Sequence, residues 1–229
     1  MGHATGRVRE IRIGMGGKLE AYISCPPVLV PSPGQYTLGI DAHDPNAVLR
    51  TPLFQLERAE HGFWAVPLFP IQWAPGTDLD LVGPLGYGFN LPHNILRLGL
   101  VGMTETIARL IPLIQHTTQK PTSVALFTDL PVPMLPASLE VHPLASIKDE
   151  LSWPDFMVID LPLECLAGLR DVLGLAHGRS LACPAQVLIA APFPCAGLAQ
   201  CGACAVPGRR GWKLACEDGP VFDLNALRW

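Results

Sequence analysis

Pro194-Cys195-Ala196-Gly197-Leu198-Ala199-Gln200-Cys201-Gly202-Ala203-Cys204, followed after a short interval by Cys216-Glu217-Asp218-Gly219-Pro220, carries four of the chain's seven cysteines, spaced C-x5-C-x2-C-x11-C. Three thiolates in one loop, with a fourth arriving from beyond a turn, is the ligand layout of a plant-type [2Fe–2S] site, whose usual run is C-x4-C-x2-C…C. The gap between Cys195 and Cys201 is one residue longer than that run. Alanines and glycines fill the spaces, as a cluster loop requires, because its backbone must close on the inorganic sulfurs and present N–H groups to them. Cys195, Cys201, Cys204 and Cys216 are therefore the expected metal ligands. Structural zinc is a second reading, although such sites usually use two separated C-x2-C pairs, and Cys201 with Cys204 makes one such pair here. Disulfides are a third. They need an oxidising compartment, and Met1-Gly2-His3-Ala4 lacks the pattern of an export signal, so a cytoplasmic location is expected.

Composition narrows the rest. The chain has 229 residues, 49% of them hydrophobic and 16% charged, which allows a substantial core and argues against disorder. A net charge of −4 argues against a nucleic-acid partner. The apolar runs at Ile95–Leu100 and Val187–Ala191 have strand length, so no membrane span is expected. The 22 glycines and 24 prolines punctuate apolar segments and imply many short turns. Cys25, Cys165 and Cys183 stand in separate apolar contexts and read as small core residues. The seven histidines (His3, His43, His61, His93, His116, His142 and His177) show no metal-ligand spacing.

Along the chain, Gly6–Ile13 alternates apolar and charged residues as a half-buried strand does, and Leu19–Ser24 reads as its hairpin partner. Gln35–Ile40, Leu53–Arg58, Gly62–Phe69 and Asp78–Val82 continue the pattern, giving a small antiparallel barrel that ends near Pro92. The rhythm then changes. Ile95–Val101, Ser123–Phe127, Leu139–Val141, Phe156–Ile159 and Gln186–Ala190 are nearly all apolar strands. Thr104–Gln115, capped by Thr104 and interrupted by Pro112, reads as a helix, as does Leu163–Ala176, ending at His177-Gly178. Strands alternating with helices imply a Rossmann-like parallel α/β domain. The expected architecture is thus a barrel over 1–92, an α/β domain over 93–190 and a cluster-binding segment over 191–229.

In this order, Pro33-Gly34-Gln35-Tyr36 resembles a Pro-Gly-Gln-Phe motif, Gly83-Pro84-Leu85-Gly86-Tyr87-Gly88-Phe89 a Gly-Pro-Leu-Gly-x-Gly-Phe motif, and Cys216–Asp223 a Cys-x-Asp-Gly-Pro-Val-Phe ending. All three belong to the electron-transfer subunit of NAD-linked dihydroorotate dehydrogenase, in the ferredoxin reductase-like superfamily. The resemblance implies a carrier of electrons from nicotinamide through FAD to a [2Fe–2S] cluster, serving a catalytic flavin oxidoreductase subunit in pyrimidine biosynthesis. It assigns flavin contacts to Arg50, Thr51, Gly83, Pro84, Leu85 and Gly86, and a nicotinamide contact to Gly102. Two departures bear on the cofactors. The family's Arg-Pro-x-Ser-type flavin segment becomes Thr51-Pro52-Leu53-Phe54, with Arg50 displaced by one residue, and the helix before Gly83 is deleted. The Gly-rich nucleotide turn becomes Gly102–Arg109, where Met103 crowds and Glu105 opposes a pyrophosphate, so tight NAD(P) binding is not expected. A zinc-stapled scaffold on a decayed reductase fold and a free-standing flavin reductase are the alternatives. Asp160 and Glu164 read as helix-start carboxylates. Trp212, Arg209, Arg210 and Lys213 lie either beside the cluster or in an ordinary solvated turn.

Overall fold

A computed structural model describes residues 2–117, 122–132, 135–136, 139–176 and 178–229; His177, expected at a helix end, falls outside them. Six strands form a closed antiparallel barrel: β1 (Gly2–Ile13), β2 (Leu19–Ser24), β3 (Tyr36–Asp41), β4 (Thr51–Ala59), β5 (Gly62–Pro67) and β6 (Asp78–Leu85), in the order β1-β2-β5-β4-β3-β6. Closure removes the exposed edges that an open sheet of this size would have to protect. Val8, Ile23, Leu53, Phe63, Leu79 and Leu81 point inward from alternate positions and are fully buried, so the barrel has its own core.

The second half is a six-stranded sheet in the order β14-β11-β10-β7-β8-β9. It contains β7 (Arg97–Gly102), β8 (Ser123–Phe127), β9 (Leu139–His142), β10 (Phe156–Pro162), β11 (Ala185–Ala190) and β14 (Val221–Asp223). All neighbours run parallel except β14, which closes one edge antiparallel to β11. Buried on both faces, the central strands carry near-continuous apolar runs, as parallel sheets do.

The helices are shorter than the sequence pattern suggests. In place of Thr104–Gln115 there is α1 (Ile111–Thr117). The Thr104 hydroxyl donates to the Thr106 carbonyl instead of capping a helix. Pro112 takes the second helical position, where its missing N–H costs nothing. In place of Leu163–Ala176 there is a 3₁₀ run over Leu163–Gly168, then the single turn α3 (Leu169–Val172), ended by Gly174 at φ 64°. A further short turn, α2 (Ile147–Glu150), precedes β10. Among the described residues, no helix is long and apolar enough to cross a membrane.

Beyond β11 a hairpin of β12 (Ala205–Pro207) and β13 (Trp212–Leu214) separates Cys204 from Cys216. The eleven-residue interval is thus a β-turn-β excursion that returns the fourth cysteine to the third. One buried cluster joins barrel, sheet and tail: Tyr36, Leu38 and Phe54 pack with Val101, Ile159, Phe193, Cys204 and Cys216.

Candidate metal centre

The loop from Phe193 to Cys204 winds through left-handed backbone at Ala196 (φ 54°), Gly197 (77°), Ala199 (57°) and Gly202 (71°). Alanine adopts that region only at a cost, and a run of such turns gathers N–H groups around a concave anion site. Here the amides of Gln200, Cys201 and Leu198 point at the Cys195 sulfur and, with the Cys201 thiol, pull its pKa down to about 6 against its partial burial. Cys216 is pushed the other way, to about 12, first by burial and then by the adjacent Cys204 thiol, while the Ala199 amide opposes the shift. The four sulfurs thus form two pairs, Cys195 with Cys201 and Cys204 with Cys216. The pairs are close to each other, since Cys195 also acts electrostatically on Cys216. The Ala215 amide bonds the Cys204 carbonyl at 3.0 Å and holds the inner pair together.

Tyr36 braces the site from the barrel. Its hydroxyl donates to the Cys216 carbonyl at 3.2 Å, and its ring stacks on Phe193 at 4.7 Å. Burial, followed by the nearby Cys216, Cys204 and Cys195, raises its pKa. The motifs around it interlock. Gln35 Nε2 donates to the Gly86 carbonyl at 3.0 Å, the Phe89 amide to Pro33 at 2.9 Å and the Tyr87 amide to Gly219 at 2.6 Å. Gly86 sits at φ 71°, and a Cβ there would lie 2.5 Å from both Gly219 O and Pro220 Cδ. Gly83–Pro84 and Gly219–Pro220 are both cis. The Gly83–Phe89 segment is therefore the seat on which the Cys216 loop rests.

Two thiol pairs over inward-turned amides suit a two-iron cluster, in which each iron takes two thiolates. Cys25 and Cys183 are buried core residues and Cys165 is half-buried, all outside this loop.

The residues expected to hold FAD or nicotinamide are engaged elsewhere. Arg50 Nη1 bonds the Asp80 carbonyl at 2.9 Å and Nη2 its carboxylate at 2.5 Å, with His3 on the other carboxylate oxygen. Thr51 pairs with Gly39 in the barrel ladder and Leu85 with Tyr36. A Cβ on Gly83 would lie 2.6 Å from Thr37 Oγ1, and one on Gly102 would lie 3.0 Å from Ile107 Cγ2. Beyond Gly102 the turn is filled: Thr106 to Leu110 are all buried, and Thr106 Oγ1 accepts the Ala108 N–H at 3.1 Å. Glu105 is ion-paired with Lys18 of the β1–β2 turn. Arg50 and Glu105 are thus each paired within the chain, and Thr106–Leu110 close the turn that follows Gly102.

Sequence reasoning missed a further pair. Arg109 reaches Asp160 at the end of β10 through Nε–Oδ2 at 3.1 Å and Nη2–Oδ1 at 3.2 Å, with side-chain exposures of 4% and 0%. Burial pushes the Asp160 carboxyl up, and Arg109 and the Thr104 hydroxyl pull against that shift. The signal was present: a lone cation in the apolar run Ile107–Ile111 and a lone anion in the apolar strand Phe156–Leu161 each need a charged partner when buried. Beside them, at the C-terminal ends of β7, β10 and β11, lies a cavity of about 270 Å³.

Residues 196–228 match the family model of the iron–sulfur cluster binding domain of dihydroorotate dehydrogenase B. The chain resembles that enzyme's electron-transfer subunit. The match spans Cys201, Cys204 and Cys216, and Cys195 stands immediately before it. The solved NADH-dependent reduced ferredoxin-NADP oxidoreductase is 21% identical over 100% of this chain and 91% of its own, with a TM-score of 0.75. Phthalate dioxygenase reductase is 12% identical over 94% of this chain and 78% of its own, at 0.56. The ferredoxin reductase of carbazole 1,9a-dioxygenase is 16% identical over 77% of this chain and 67% of its own, at 0.60. The fold is ferredoxin reductase-like, a barrel joined to a parallel α/β sheet. No protein of curated function matches the chain in sequence.

Proposed function

We propose that this chain is an electron-transfer subunit that holds one [2Fe–2S] cluster, with Cys195 and Cys201 on one iron and Cys204 and Cys216 on the other. It relays electrons to or from a flavin oxidoreductase partner of the dihydroorotate dehydrogenase type, in pyrimidine biosynthesis. The pairing of Cys195 with Cys201 and of Cys204 with Cys216, with the amides of Leu198, Gln200 and Cys201 turned onto the Cys195 sulfur, carries this reading. When bound, the cluster supplies one-electron chemistry. The protein supplies position and field. The amides stabilise negative charge on the Cys195 sulfur, while Tyr36 and Phe193 cover the inner pair. The assignment of 1–92, 93–190 and 191–229 as barrel, sheet domain and cluster segment belongs to the same proposal, with the tail returning to the sheet through β14.

Anaerobic purification with iron and sulfide analysis tests it. A red-brown protein with two irons and two acid-labile sulfides per chain is expected, together with loss of that colour in Cys204→Ser. A colourless protein containing one zinc per chain would refute it and favour a zinc-stapled scaffold.

A further inference from the structure

Tyr36, Leu38 and Phe54 of the barrel lie in one continuous buried cluster with Val101 and Ile159 of the sheet. The two halves therefore touch directly at their seam. Phe54 stands where the resemblance places a flavin-binding serine. Its ring is 1% exposed, 5.9 Å from the Tyr36 ring and 5.6 Å beneath the Arg109 guanidinium. Arg109 in turn is fastened to Asp160 at the end of β10. Tyr36, Phe54, Arg109 and Asp160 thus form an unbroken chain of contacts from β3–β4 to β10.

The phosphate end is closed as well. Arg50, the nearby cation, is committed to Asp80. The segment that replaces the deleted helix turns its side chains onto the barrel, with Ile71 buried there and Trp73 packed beside it. At the seam itself, the cavity beside Arg109 has about 270 Å³, below the roughly 300–1,000 Å³ that drug-sized ligands occupy.

We infer that this chain carries its electron on the cluster alone, because its own side chains fill the seam in which a flavin would lie. The inference rests on the cluster reading above and says where two-electron chemistry must occur. A hydride donor gives up two electrons together, and a lone cluster passes them singly. The splitting step therefore belongs to a flavoprotein partner. The hydride donor loses two electrons to the partner's flavin; in each later passage that reduced flavin loses one electron through the cluster, the acceptor protein gains one, and the flavin's protons go to solvent and not through this chain.

Anaerobic reductive titration of the full-length protein tests this, after incubation with excess FAD and gel filtration. The expected result is one electron per chain, with no flavin released on denaturation. Three electrons per chain with one FAD bound would overturn the inference and leave the cluster reading intact. Two electrons with FAD and no iron would overturn both readings. No electrons and no iron would also overturn both.

Discussion

Replacing Asp160 by Asn puts the seam under direct strain. The Asp160–Arg109 pair is bidentate and almost wholly removed from solvent. Neutralising one member leaves the other charge buried without compensation, at a cost of about 3–5 kcal/mol. In a chain of this length each kcal/mol moves the melting temperature by about 2–4 °C, so Asp160→Asn should lower Tm by roughly 6–20 °C. Urea denaturation and thermal melts, at matched iron content, measure the change. The double variant Arg109→Met/Asp160→Leu should recover most of the loss. Well-packed apolar residues often match a buried ion pair or exceed it by about 1–4 kcal/mol, and the double-mutant cycle isolates the coupling. Should Asp160→Asn alone fall within about 1 kcal/mol of the parent, the pair is hydrated and the argument for a filled seam fails.

Other outcomes can be checked more briefly. Tyr36→Phe removes the hydroxyl that holds the Cys216 carbonyl and should cost about 0.5–1.5 kcal/mol in denaturation while leaving the visible spectrum in place. Gly86→Ala forces a Cβ into Gly219 and Pro220 and should cost about 1–3 kcal/mol. Iron should be lost from that variant at temperatures where the barrel's circular dichroism persists. Asp155 accepts from the Arg97 side chain at 2.6 Å and from the Leu96 and Arg97 amides, and the Arg97 guanidinium holds its carboxyl below the ordinary 3.8. Its stabilisation is therefore present above that value and is lost as pH falls through the depressed one. Asp155→Asn should lower Tm at neutral pH, and the gap to the parent should close in acid.

The barrel was legible because its strands obey a two-residue period bounded by Gly and Pro; Leu19–Ser24 falls where alternation placed it. Ser123–Phe127 was equally clear as a short apolar run. The helices were not. Their apolar spacing at Ile107, Leu110, Ile111 and Ile114 is real, but it serves a buried turn as well as a helix, and Pro112 decides where regular hydrogen bonding starts. Of the candidate site, the cysteine spacing singled out the four thiols that the fold brings together. The β12–β13 hairpin that joins Cys204 to Cys216 is too short to leave a period. Nor did the motif Gly83–Phe89 disclose that its partner is the protein's own Cys216 loop, because a tight turn looks the same in sequence whatever rests on it. Arg109 and Asp160 lie 51 positions apart, a distance over which no local pattern links two charges.

The site is two-sided. Cys201 is exposed and Cys195 half-covered, while Cys204 and Cys216 face the core that Tyr36 and Phe193 build. An alkylating reagent added to metal-free protein should therefore label the outer thiols first and reach the inner two only when the tail lifts from the barrel. The same asymmetry makes the rim thiols the first to meet any oxidant that arrives from solvent.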